Sequence, residues 1–202
     1  MSSKKTQVTE IPDKKSRGKA DTQTKIVEAA LACVHRWGVE KVTLNDIARE
    51  AGVTRPTVYS YFKTRDDVIR YALLQSAYGF ADKLMKEIQK YDTPQDRLLA
   101  ACLFALERLP KEPYLEMVTD KGLSKILNEH ALNTPQGMEL IRGLFRFIYS
   151  DVDIEDEELE EVSEITVRLM LSFLTIESQV KRTTEEMRSF LQRRLFPAIG
   201  LV

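Results

Sequence analysis

TLNDIAREAGVTRPTVYSYFKTR, residues 43–65, reads as two short helices joined by a tight turn. Thr43 is placed to N-cap the first helix, with Asp46 three residues on as the reciprocal acid of a capping box. Leu44, Ile47 and Ala48 give that helix an apolar face. Gly52 follows its last turn, where a left-handed residue is wanted and glycine takes the conformation freely. Thr54 then caps a second helix, and Pro56 falls in its first turn, where a missing N–H breaks no bond.

On a wheel of the second helix, Val58 and Phe62 share one stripe, while Pro56, Thr57, Tyr59 and Ser60 lie towards the other side. Arg55 sits at the N-terminal tip. Burial of the stripe against Leu44, Ile47 and Val53 leaves hydroxyls, a phenol and a proline outward. A recognition helix enters a major groove this way, its N-terminal residues on base edges and its flanks on phosphate. Lys63 and Arg65 open the next helix, where cations do not help the helix dipole and phosphate contact gives them a role. Any small three-helix unit has a helix, a turn, a glycine and a helix. What adds to that pattern is charge: no acid stands between Glu50 and Asp66, while Arg55, Lys63 and Arg65 do.

AREAGVTRPTVYSYFKTRDDV, residues 48–68, resembles the signature of the tetracycline-repressor (TetR) family of bacterial regulators. KIVEAALACVHRWGVEKVTLNDIA before it is similar to that family's first helix, glycine and second helix. Gly38, Thr43, Ile47, Ala48, Ala51, Gly52, Val53, Thr57, Tyr59 and Phe62 stand where the pattern expects them. Val34 replaces a usual Phe, and Pro56 a frequent Gly or Ala. The likeness covers Thr22 to Val68. It implies an all-α fold, with an N-terminal three-helix helix-turn-helix domain and a helical C-terminal domain for effector binding and dimerisation. It also implies a DNA surface of Thr43, Thr54, Arg55, Pro56, Thr57, Tyr59, Tyr61, Lys63, Thr64 and Arg65.

Length and composition agree with one or two soluble helical domains: 202 residues, 43% hydrophobic and 30% charged. The net charge of −1 hides an asymmetry. Residues 1–70 hold 14 Lys and Arg against 9 Asp and Glu, a net of +5, and residues 71–202 hold 16 against 22, a net of −6. A basic head on an acidic body suits a DNA reader with a separate regulatory part. No apolar run reaches membrane-helix length and no signal peptide is visible, so a cytoplasmic, nucleoid-associated protein without membrane contact is expected. Cys33 and Cys102 lie in apolar helical patterns and are expected as buried thiols.

Residues 1–20, rich in lysine, read as a disordered basic tail, either a DNA-touching arm or a solubilising extension. The expected domains are 21–68 for DNA and 69–202 for effector and dimerisation. Helices are expected from about Thr22 to Trp37, Thr64 to Lys90, Thr93 to Pro110, Thr134 to Tyr149, Asp153 to Arg182, and Thr183 to near Pro197. Between 111 and 133, Pro113 opens a short helix that Gly122 interrupts.

No catalytic motif, phosphate-cradling glycine loop or metal-ligand spacing is present, so neither an enzyme nor a cofactor is indicated. The acids from Asp151 to Glu161 read as a solvated helix start rather than a cation site. VSEITVRLMLSFLTIESQV, residues 162–180, is apolar on nearly all sides between Leu169 and Ile176, which calls for a partner as well as a core. A homodimer is expected through this helix and the next, using Leu169, Phe173, Leu174, Ile176, Phe190, Leu191 and Leu195, and with it a palindromic operator in double-stranded DNA. An effector cavity is expected among Phe80, Leu84, Phe104, Tyr114, Met117, Phe145, Tyr149, Arg168, Met170 and Phe173, although the same residues serve equally as core. It would be at least drug-sized, roughly 300 Å³; without a cavity of that size, a constitutive or protein-controlled regulator is expected instead. Arg168 either holds a ligand anion or pairs with Glu164 one turn earlier, the plainer reading. The competing functions are a regulator without a small-molecule effector and a ligand-binding helical protein with a vestigial helix-turn-helix.

Overall fold

The computed structural model describes residues 14–38, 41–112, 134–176 and 179–201. Among the described residues the secondary structure is helical, without strands. The α-helices are α1 (Lys14–Trp37), α2 (Leu44–Glu50), α3 (Arg55–Tyr61), α4 (Arg65–Ile88), α5 (Pro94–Arg108), α6 (Pro135–Ile148), α7 (Asp156–Thr175) and α8 (Thr184–Arg194). Two short 3₁₀ turns follow α5 and α8, at Leu109–Lys111 and Phe196–Ile199. The chain divides into two compact units, Met1–Ile69 and Arg70–Val202, and α4 contributes residues to both.

In the first unit α1 packs on α2 and α2 on α3. Ile26, Ala30, Cys33, Val34, Val42, Ile47, Val58 and Phe62 are buried there. Truncating a fully buried side chain such as Ile47 to alanine would cost about 2–5 kcal/mol. The guanidinium of Arg36 on α1 donates to both carboxylate oxygens of Glu50 on α2, at 3.2 and 3.3 Å. Between α2 and α3, Gly52 takes φ +66 and Val53 N–H donates to Ala48 C=O at 3.0 Å. A side chain at Gly52 would meet backbone strain in that left-handed turn.

In the second unit α5 is the hub, packed on α6, α7 and α8. Leu98, Leu99, Ile148, Leu159, Leu191 and Leu195 are buried around it. Thr93, Thr134 and Thr183 each accept the N3 amide of the following helix, as their Thr-Pro or Thr-x-x-Glu contexts require.

Three helix boundaries depart from the sequence reading. α1 begins at Lys14 rather than Thr22. Its added residues include lysines, Arg17 and Ala20, which favour helix, and Thr24 back-bonds to Ala20 C=O at 3.0 Å within a continuing helix. α7 spans Asp156–Thr175 rather than 153–182. It stops at the β-branched pair Thr175-Ile176, where Ile176 leaves helical geometry at φ −105 and ψ 115. α8 ends at Arg194, short of Pro197, and the chain continues as the 3₁₀ turn closed by Gly200 in the left-handed region. The expected short helices after Pro113, with Tyr114 and Met117, lie outside the described residues.

Candidate nucleic-acid interface and apolar cavity

Capping geometry fixes both short helices of the first unit. Thr43 N–H and Oγ1 donate to Asp46 Oδ2 at 3.1 and 2.6 Å, and Asp46 N–H returns a bond to Thr43 Oγ1 at 3.3 Å. The Thr43 hydroxyl holds the Asp46 carboxyl below its ordinary value of 3.8, and Arg49 adds an ion pair at 2.8 Å. For α3, Thr57 N–H donates to Thr54 Oγ1 at 3.3 Å, and the two threonine hydroxyls lie 2.8 Å apart. The start of α3 therefore carries a pair of linked hydroxyls beside Arg55.

Val58 and Phe62 anchor α3 inward. Arg55, Pro56, Tyr59 and Ser60 are outward, with Tyr59 43% exposed. Arg55 Nη2 donates to Tyr59 Oη at 3.0 Å, and the guanidinium carbon lies 5.3 Å from the ring centroid. Ser60 Oγ donates back to Thr57 C=O at 2.7 Å. Tyr61 is half-buried and Lys63 exposed. Thr64 caps α4 reciprocally with Asp67, at 3.0 and 3.1 Å. Arg65 Nε meets Asp66 Oδ1 at 3.0 Å, and that carboxylate is itself largely exposed. The predicted DNA residues thus fall on α3 and its flanks, except Thr43, which caps α2. Only the i, i+4 spacing of Arg55 and Tyr59 hints at their pairing from sequence.

The second unit contains a cavity of about 230 Å³. Its wall comes from α4, α5, α6 and α7, including Phe80, Leu84, Phe145 and Met170. This is smaller than the expected 300 Å³. Phe104, Tyr149, Arg168 and Phe173 do not belong to the described wall. Phe104 lies against Phe80 with centroids 5.6 Å apart, and Tyr149 is buried elsewhere in the core. Phe173 stands edge-on to Phe190 at 5.8 Å. Arg168 is 76% exposed and pairs with Glu164 at 2.7 Å, as the favourable acid-before-base spacing allows. Small residues on α5, Ala101, Cys102 and Ala105, help make the room. Spacing alone could not separate them from ordinary helix packing.

Two residues expected at a subunit interface belong to the protein's own core: Leu191 and Leu195 are at most 1% exposed. Leu174 lines the cavity. Leu169 and Phe173 are half-buried, Phe190 likewise, and Ile176 is 66% exposed. Among the described residues no cluster of His, Cys, Asp and Glu could hold a metal, and no helix is long and apolar enough to cross a membrane.

Two short capped helices with a glycine turn, set on a third helix, define a helix-turn-helix regulator. The profile of "Bacterial regulatory proteins, tetR family" matches residues 26–72. The chain is 32% identical to a helix-turn-helix-type transcriptional regulator of Mycobacterium tuberculosis, over 64% of this chain and 66% of that one. It is 42% identical to the regulator TtgW of Pseudomonas putida, over 52% of this chain and 78% of the relative. In fold it resembles the transcriptional regulator FadR of Bacillus subtilis, solved in complex with stearoyl-CoA, with TM-score 0.58, 17% identity, and coverage of 89% of this chain and 98% of that one. The chain belongs to the tetR family of bacterial regulatory proteins. The alignment spans about two thirds of the mycobacterial relative's length.

Proposed function

We propose that this chain is a homodimeric transcriptional repressor. It binds a palindromic operator in double-stranded DNA through α3 and lets go when a small, largely apolar molecule occupies the cavity of the second unit. The observation that carries the DNA reading is the outward face of α3, where Arg55 and Tyr59 are held together beside the Thr54–Thr57 hydroxyls with no acid between Glu50 and Asp66. Arg55 has the donors to read a guanine edge in the major groove. Thr57, Tyr59, Lys63 and Arg65 have the polar groups to hold phosphates, and Pro56 with Thr57 can touch a thymine methyl.

Dimerisation is supported by the apolar residues left uncovered on and just after α7, Ile165 and Ile176 above all, with half-buried Leu169, Phe173 and Phe190. An effector is supported by the cavity and, at the level of fold, by the stearoyl-CoA complex of FadR. Occupancy must favour one spacing of the two DNA heads over the other, or no release follows. The cavity's size favours a second reading, control by a protein partner or none, because it falls below the roughly 300 Å³ of an ordinary ligand pocket.

Selection of binding sites from a random duplex pool tests the proposal. Enrichment of a two-fold site, with half-sites about one helical turn or a multiple apart, is the expected result. Failure to enrich any sequence would overturn it.

A further inference from the structure

The cavity lies wholly within the second unit, and its described wall is hydrocarbon apart from three side chains: Cys102, Thr166 and Met170. None of the described wall residues is charged. Burial pushes the Cys102 thiol up to about 12, so it stays neutral and is a weak hydrogen-bonding group. Thr166, on α7, is the only wall residue among those described with a side-chain oxygen.

That oxygen is unusual. Thr166 is 3% exposed, and its Oγ1 has no hydrogen-bond partner among the described residues. Hydroxyls inside helices ordinarily turn back on their own helix. Thr175 does so in this same helix, to Leu171 C=O at 2.8 Å, as do Ser76 to Ala72 C=O at 3.0 Å and Ser163 to Glu160 C=O at 2.8 Å. Thr166 does not. Buried polar groups are nearly always paired, and each exception in a native fold asks for an explanation.

Resting on the effector reading above, we infer that the Thr166 hydroxyl is the polar anchor for the effector, which is a neutral, largely hydrocarbon molecule carrying a single hydroxyl or carbonyl oxygen. An ionised group would have to leave water for a wall whose described residues offer no counter-charge, which disfavours carboxylates and ammonium ions. A hydrocarbon without oxygen would leave Thr166 unpaired, whereas a hydroxyl or carbonyl completes it. Size narrows the class further. An apolar cavity of about 150 Å³ holds benzene in another protein, so about 230 Å³ suits one ring with a short alkyl chain, or a chain of similar bulk.

Calorimetric titration of the full chain with three probes tests this: 4-butylphenol, butylbenzene and 4-butylbenzoate. The phenol is neutral at pH 7, by analogy with tyrosine. The wild type should bind butylphenol and reject the benzoate. Thr166→Val should weaken butylphenol by about tenfold, leave butylbenzene unchanged, and raise Tm because a buried unpaired hydroxyl is gone. Thr166→Ser should keep the phenol affinity, and Thr166→Ala supplies the same subtraction if valine disturbs the fold. Equal phenol binding by the wild type and the Val or Ala variant would overturn the role of Thr166 while leaving the effector cavity standing. Tightest binding of the benzoate would overturn the neutral class. Failure of every probe to bind the folded wild type would overturn both this inference and the effector reading.

Discussion

Arg55 and Tyr59, one helical turn apart on the outward face of α3, are joined by a 3.0 Å hydrogen bond from the guanidinium to the phenol oxygen. The contact holds a long cation in one region before any partner arrives, which lowers the ordering cost of binding. The two side chains therefore have separable roles. Arg55→Ala should cost about 1–3 kcal/mol at one base pair and relax preference there. Tyr59→Ala should weaken every duplex and also blunt the Arg55 preference, because its support is lost. Binding to a set of single-base operator variants, measured for both mutants and their double, would show this coupling. Strictly additive effects would separate the pair.

Arg97 acts as a polar clamp within the second unit. Arg97 on α5 is only 11% exposed and donates to Tyr91 C=O at 2.9 Å, Asp92 C=O at 3.1 Å, and Ile148 C=O at 3.3 Å. It also reaches Ser150 Oγ at 3.2 Å and Asp151 at 2.7 Å. Arg97→Ala leaves several carbonyls without a donor and should lower stability by about 2–4 kcal/mol in urea unfolding. Arg97→Lys should recover little, since an ammonium cannot fork between separated carbonyls. Asp151→Asn should cost under about 1 kcal/mol, because that carboxylate is more than half exposed.

Two helix starts should loosen in acid. Hydrogen bonds from Thr43 hold the Asp46 carboxyl below 3.8, and the Thr183 backbone N–H, with its hydroxyl, holds Glu186 below 4.5. Both folded-state values are depressed. The stabilisation is therefore complete above the unfolded values and disappears as pH falls through the lower folded ones. Amide protection at the first turns of α2 and α8, measured relative to the intrinsic exchange rate at each pH, should fall below about pH 4.5 for Glu186 and below about pH 3.8 for Asp46. Asp46→Ala and Glu186→Ala should remove that dependence. Protection there that stays constant across this pH range in the wild type would refute it.

Subunit association separates two kinds of leucine-rich position. Ile176→Glu and Phe173→Glu alter residues that the chain leaves wholly or partly uncovered, and should give folded monomers. Leu191→Glu places a charge in a fully buried site and should unfold the second unit instead. Sedimentation together with circular dichroism distinguishes the outcomes. A wild type that sediments as a folded monomer at micromolar concentration would contradict the dimer.

The helix-turn-helix was legible because local chemistry encodes it. Caps at Thr43 and Thr54, the left-handed Gly52 and the Val58–Phe62 stripe each act within a few residues, and each is found as read. The four walls of the cavity also coincide with helices visible from their caps and periodicity. What escaped the sequence depends on tertiary placement. Leu191 and Phe190 are neighbours in an apolar pattern, yet one is sealed in the core and the other half-open. Phe104 and Phe145 are both aromatic on inner faces, but only Phe145 reaches the cavity wall. Arg97 gave no signal at all, since most of its partners are backbone carbonyls, and Ile148 C=O, Ser150 and Asp151 lie far along the chain. The end of α7 was misplaced because an apolar run continued past Thr175 while β-branching there ended the helix.

The most direct test of the central claim is the salt dependence of operator binding. A duplex carrying the selected two-fold site would be titrated with the wild type and Tyr59→Ala at several potassium chloride concentrations. Lys63 and Arg65 from each of two subunits supply about four phosphate contacts, so log affinity against log salt should fall with a slope of about −3 to −5. Tyr59→Ala should shift the whole line to weaker binding at nearly the same slope, since a phenol carries no charge. A flat line for the wild type, or a Tyr59→Ala line that overlies it, would contradict the assignment of α3 as the DNA-reading helix.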